Sequence, residues 1–203
     1  SEGIPRAMGY WRNSLQHSEK LGDPSGIGKT LGNLGAGFYA AGEPDSARVF
    51  LSAAYQGATE IGDFRTAASA VTNLANVAFD MGNLSEAADR YSRAAVILSR
   101  TGEHRHLSAV QHNLALVSMD LGDLGSARDA LEGSIRLSRL HGYPEDEAEG
   151  LSALADVAQA IGRSGGLGFM SQRMGYRPGR GRLSRSPRTS TMWASRFPPV
   201  ATN

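Results

Sequence analysis

One phrase recurs at a fixed interval. Asn33-Leu34-Gly35 leads to Gly42 and Ala47, Asn73-Leu74-Ala75 to Gly82 and Ala87, and Asn113-Leu114-Ala115 to Gly122 and Ala127. The step is 40 residues each time, without insertion or deletion. Self-similarity at such a period marks a stack of like supersecondary units, because one unit alone cannot bury its apolar face.

Aligning the chain from Ala7, Ala47, Ala87 and Ala127 gives four units and two glycine columns, Gly22/62/102/142 and Gly42/82/122/162. The glycines divide each unit into two segments of about 17 residues with apolar residues at helical spacing, such as Val71, Leu74, Ala75 and Ala78. Glycine suits the left-handed residue that ends a helix. The following Asp23, Asp63 and Glu103, and Glu43, Asn83 and Asp123, offer caps for the next start. Glu145-Asp146-Glu147 is read as first-turn acid facing a helix dipole. Leu34, Leu74, Leu114 and Leu154 are the expected core knobs, and Gly35, Ala75, Ala115 and Ala155 the expected close approaches between helices.

Composition limits the function classes. The chain has no cysteine, hence no disulfide framework and no thiolate metal site. No apolar run nears the roughly 18 residues of a membrane span, and residues 1–6 lack a leader's apolar segment, so a cytoplasmic location with no membrane contact is expected. The first residue is not Met, from which a fragment of a longer protein is expected. The net charge of +1 divides unevenly: residues 163–203 hold eight arginines and no acid, leaving 13 basic and 20 acidic residues before them.

A helix pair carrying Leu-Gly/Ala, a Gly turn, Ala, then Leu51, Tyr91 or Leu131 and Ala54, Ala94 or Ser134 resembles the tetratricopeptide repeat. The 40-residue step and Ile61-Gly62-Asp63 resemble its extended type, found in LGN- and Pins-like adaptors. Leu15 to Asp23 and Leu151 to Gly162 look more like the trailing arrays of bacterial SARP and LuxR-type ATPase regulators. The resemblance implies an all-α fold, an α-α superhelix of about four helix-turn-helix repeats over residues 1–166. It also implies a non-catalytic scaffold that receives a peptide or partner segment in a concave groove, as the interaction or sensor part of a larger bacterial signalling or transcriptional regulator.

On the first helix of each pair, the stripe beside the core face runs through Lys29 and Asn33, then Asn73, Asn76 and Asp80, then Asn113 and Asp120, with Tyr39, Phe79 and Met119 in a neighbouring row and His112 at its edge. These are the candidate partner contacts. The Asn column has two readings, a ligand-contacting ladder or a set of bonds between adjacent helices. Lys29 alone opposes Asp80, Asp120, Glu149 and Asp156, so a neutral or basic partner segment is expected rather than a bound carboxylate.

Chemical motifs fail on spacing. Gly22 to Thr30 ends in Gly28-Lys29-Thr30, but a phosphate loop needs glycine where Asp23 stands. His104, His106 and His112 lack a completing ligand, and no nucleophile has a distinguishable base, so no metal, cofactor or enzyme activity is expected. After Gly162 the turn loses its acidic cap. A short capping helix over 167–174 and a basic, disordered tail are expected. The tail has two other readings: a frame or assembly artefact, or an arginine-rich segment that contacts nucleic acid or the acidic groove, with Trp193 and Phe197 as stacking groups. A nucleic-acid-associated regulator acting through that tail is the alternative function; oligomeric state is not readable.

Overall fold

The structure, a computed structural model, describes residues 3–174, with side chains over residues 6–163. Those residues form α1 (Gly3–Leu21), α2 (Pro24–Ala40), α3 (Pro44–Glu60), α4 (Phe64–Asp80), α5 (Leu84–Thr101), α6 (His104–Leu121), α7 (Leu124–His141) and α8 (Pro144–Met174). The seven turns between them each contain a glycine of the two columns at φ between 62° and 80°, the left-handed conformation a side chain disfavours. Asp23, Asp63 and Asp123 cap their helices by accepting from the backbone N–H of Gly26, Thr66 and Ser126 at 3.0–3.1 Å. Asn83, expected to do the same, makes no such bond, and neither do Glu43 and Glu103. The three caps that form are all aspartates. A charged oxygen at the right reach binds an amide more strongly than a neutral amide oxygen does, and glutamate is one methylene too long.

Each helix packs on its neighbours in sequence, with the broadest seams between α2 and α3, α4 and α5, and α6 and α7. Among the described residues, the sizeable contacts that skip a helix are α2 with α4 and α6 with α8. These contacts join even-numbered helices, the side expected for the inner layer of a two-layer stack. No described helix is long and apolar enough to cross a membrane.

The core follows the columns. Ala47, Ala87 and Ala127 are fully buried, as are Leu51, Tyr91 and Leu131 four residues on. At Gly35 an added Cβ would lie 2.5 Å from Leu51 Cγ, so glycine sets that approach of α2 to α3. The Leu column is less uniform than expected. Leu34 and Leu74 are buried, whereas Leu114 and Leu154 are only half-buried, and Ala155 is exposed. For Leu154 the reason is the distribution of bulk, whereas Leu114 packs beside Tyr91 and Phe79 and is still only half-covered. Leu74 lies in a cluster with Met8, Phe38 and Leu51, flanked by Trp11, Tyr39, Phe50 and Tyr55, with Phe38 stacked on Phe50 at 5.0 Å. The last cluster holds Ala115, Ala127, Leu131 and Val157 with no aromatic ring.

The end of the array also departs from expectation. Gly162 does not open a turn: α8 runs unbroken to Met174, so no separate helix over 167–174 exists. Residues after Gly162 supply no aspartate to start a new helix. The expected disorder of the tail, and its Trp193 and Phe197, lie outside the described residues.

Candidate functional site

Packing sets α2 beside α4 and α6 beside α8, and the candidate contacts sit on α2, α4 and α6. Two polar assemblies tie these helices together. In one, the Tyr39 hydroxyl on α2 donates to Asp80 Oδ2 on α4. In the other, the Tyr91 hydroxyl on α5 donates to Asn76 Oδ1 on α4 at 2.5 Å, and Asn113 on α6 hydrogen-bonds to Tyr91. Burial, the bond to Asp80 and the charge of Asp80 push the Tyr39 phenol well above its usual pKa. Burial and then Asp80 do the same for Tyr91, partly offset by Asn113. Both hydroxyls therefore stay protonated, and remain donors, across the physiological range.

Sequence reasoning missed Tyr91, which it counted only as a core aromatic. A signal was present. Tyr91 is the polar member of the column Leu51, Tyr91, Leu131, and it occurs where the inner stripe turns from Ala36 to Asn76. A buried phenol needs a partner, and the amide supplies it.

The Asn column is not uniform. Asn113 is buried and Asn76 half-buried, and both serve Tyr91, whereas Asn33 and Asn73 are half-buried, and no described hydrogen bond joins Asn33, Asn73 and Asn113 to one another. Lys29 is exposed and lies near the start of α4. Partial burial raises the Asp63 carboxyl, but bonds from the Thr66 amide and hydroxyl and the Ser25 hydroxyl, with the Lys29 charge, hold it below its usual value. Phe79 is half-buried against the cluster of Val71, Ala75, Tyr91 and Leu98, and Met119 against that of Leu131 and Val157, so they present only part of their surface. His112 is half-buried at the edge, and Asp80 and Asp120 are exposed.

Among the described residues no set of three or more His, Cys, Asp or Glu is placed to hold a metal. His104 instead stacks on His141 at 4.0 Å, and His106 faces Glu103 at 3.4 Å. A serine cluster, Ser108 with Ser134 and Ser138 at 2.9 and 2.7 Å, is sealed between α6 and α7 and bonds no titratable group.

A family model described as tetratricopeptide repeat matches residues 65–139. No curated relative matches the chain by sequence. The fold is similar to that of BtubC from P. vanneervenii, with a TM-score of 0.73, 20% identity, 91% of this chain and 80% of that one covered. It is equally similar, at 0.73 and 19% identity, to a signal transduction ATPase with numerous domains from Pyrococcus horikoshii that has a tetratricopeptide repeat sensor; 80% of this chain covers 25% of that protein. A Rap protein complexed with competence and sporulation factor matches at 0.63 and 14% identity, over 85% of this chain and 48% of that one. The chain thus spans a quarter and about half of the latter two proteins. The architecture is that of a tetratricopeptide solenoid.

Proposed function

We propose that the inner face of α2, α4 and α6 binds a peptide or partner segment, and that the chain acts as the interaction or sensor part of a larger bacterial signalling or transcriptional regulator. The observation that carries this reading is the pre-set polar face: Asn33 and Asn73 with amides uncommitted to one another, flanked by the fixed Tyr39–Asp80 and Tyr91–Asn76–Asn113 assemblies. Side-chain amides both donate and accept, as peptide groups do, so such a face can satisfy an extended backbone without titrating. Two likenesses support the regulatory role: the sensor-bearing signal transduction ATPase and the Rap protein bound to its factor. The extended bacterial array type belongs to the same reading.

The test uses the full chain to select binders from a random peptide library. Asn33→Ala with Asn73→Ala removes uncommitted amides without touching Tyr91, and is expected to weaken selected peptides about tenfold, roughly 1.4 kcal/mol. Val49→Ala, an exposed position on the outer helix α3, serves as the control. Peptides that bind both variants as well as the parent would move the interaction off the inner face.

A further inference from the structure

We propose that the inner face is also the docking surface for this chain's own arginine-rich segment, residues 175–203, which occupies the groove until a partner displaces it. The inference rests on the groove reading above and adds an occupant and a mode of regulation.

The first ground is uncompensated charge. The inner stripe carries Asp80, Asp120 and Asp156 against Lys29 alone. Four other acids are matched across seams: Glu86 by Arg48, Glu103 by Arg65, Asp146 by Arg105 and Glu147 by Arg139. None of the ten ion pairs among the described residues uses Asp80, Asp120 or Asp156. Asp80 accepts from the neutral phenol of Tyr39, which leaves its charge in place.

The second ground is the complement. Residues 175–203 contain six arginines and no acid, whereas the rest of the chain is net negative. Guanidinium groups bind carboxylates through two parallel hydrogen bonds, which gives such a segment direction as well as attraction. Reach permits the contact. The 29 residues beyond α8 extend up to about 95 Å, while four inner helices at 8–10 Å spacing span roughly 30 Å. Tethering raises the local concentration to the order of millimolar, so weak pairs suffice. An exposed contact of this kind is screened by salt, with a Debye length of about 10 Å at 0.1 M and 3 Å at 1 M.

The chain has no cysteine, so two can be introduced as unique label sites. Spin labels at Ser69→Cys on α4 and Ser186→Cys in the segment, in the full chain, report the separation by electron–electron resonance. A short-distance population is expected at low salt, lost near 1 M salt and reduced at least about fivefold by Asp120→Asn with Asp156→Asn or by Arg180→Gln, Arg182→Gln and Arg185→Gln. Circular dichroism checks that each variant keeps its helices. A distance distribution indifferent to salt and to both charge variants overturns the proposal. So does a short population that grows with protein concentration, which would assign the contact to a second copy. Nucleic acid is the intended ligand instead if a labelled single-stranded DNA binds through the same arginines while no groove contact is seen. A second readout separates this proposal from the groove reading. If the segment fills nine-tenths of grooves, neutralising its arginines raises the affinity for the selected peptides about tenfold. Unchanged peptide affinity removes the self-docking and leaves the groove; loss of all peptide binding with the resonance signal intact does the reverse.

Discussion

The α4–α5 and α6–α7 seams occupy equivalent places in the stack and are filled by different chemistry. Ala68, Ala94 and Leu98 meet in the first, while Ser108, Ser134 and Ser138 meet at the same columns in the second. All six side chains are buried. The alanine seam is held by apolar burial and dispersion, which do not depend on angle. The serine seam is held by hydrogen bonds that meet at Ser108 Oγ, which donates to the Ser134 carbonyl and is bonded to Ser134 Oγ and Ser138 Oγ, and these do. One geometry thus has two tolerances: the first seam fails when volume is lost, the second when a partner is lost.

The largest expected effect tests the volume side. Leu74→Ala, within the aromatic-rich cluster, should cost about 2–5 kcal/mol in a urea melt, and Leu114→Ala distinctly less because that side chain is already half-exposed. Equal losses would show that burial does not separate the two halves.

Next comes the partner side. Ser108→Ala strips the hub and leaves two buried hydroxyls to find other acceptors, a loss of about 1–3 kcal/mol. The triple change Ser108→Ala, Ser134→Ala and Ser138→Ala should cost less than that single one, since no hydroxyl is orphaned. Additive losses by thermal or urea denaturation would deny the cluster its cooperative character.

Tyr91→Phe is smaller still. It should cost about 1 kcal/mol by releasing Asn76 and Asn113, and should loosen hydrogen-exchange protection in α4 and α6 but not in α7.

The smallest effect compares helix starts. Asp63→Ala removes the cap of α4 and should cost about 0.5–1 kcal/mol at pH 7, whereas Glu103→Ala at the start of α6 removes no cap bond. The Asp63 carboxyl is held below its usual pKa in the fold, so its contribution is full above the unfolded value near 4 and is lost as pH falls through the lower folded value. The difference between parent and Asp63→Ala melts should therefore shrink from pH 7 toward pH 2. A constant difference would separate the cap from its charge.

The difference between the two seams also shows what a linear reading can reach. Turn glycines and the small columns at Ala47, Ala87 and Ala127 were legible because a left-handed φ and a helix–helix approach each demand one residue type locally. Leu154 misled because its burial depends on the bulk of the side chains around it, and much of that comes from other units. Gly162 misled because a glycine permits a helix end without compelling one. On the inner face, Asn76 and Asn113 were legible as positions, but their commitment to Tyr91 was not, since the phenol arrives from the outer layer. Asn33 and Asn73 stood in the same column and kept their amides off one another, a distinction no column shows.

The seven turns share almost one φ, and this carries a metrological consequence. A stack built from near-identical joints fixes the spacing of its inner marks by repeated rotation, so an error at one joint is multiplied by everything beyond it. Tilting the array by about 10° at Gly82 would shift a point roughly 30 Å farther along by about 5 Å, more than a residue's rise in an extended peptide. A ligand that reads α2 and α6 together thus measures the joints between them, although no joint touches it.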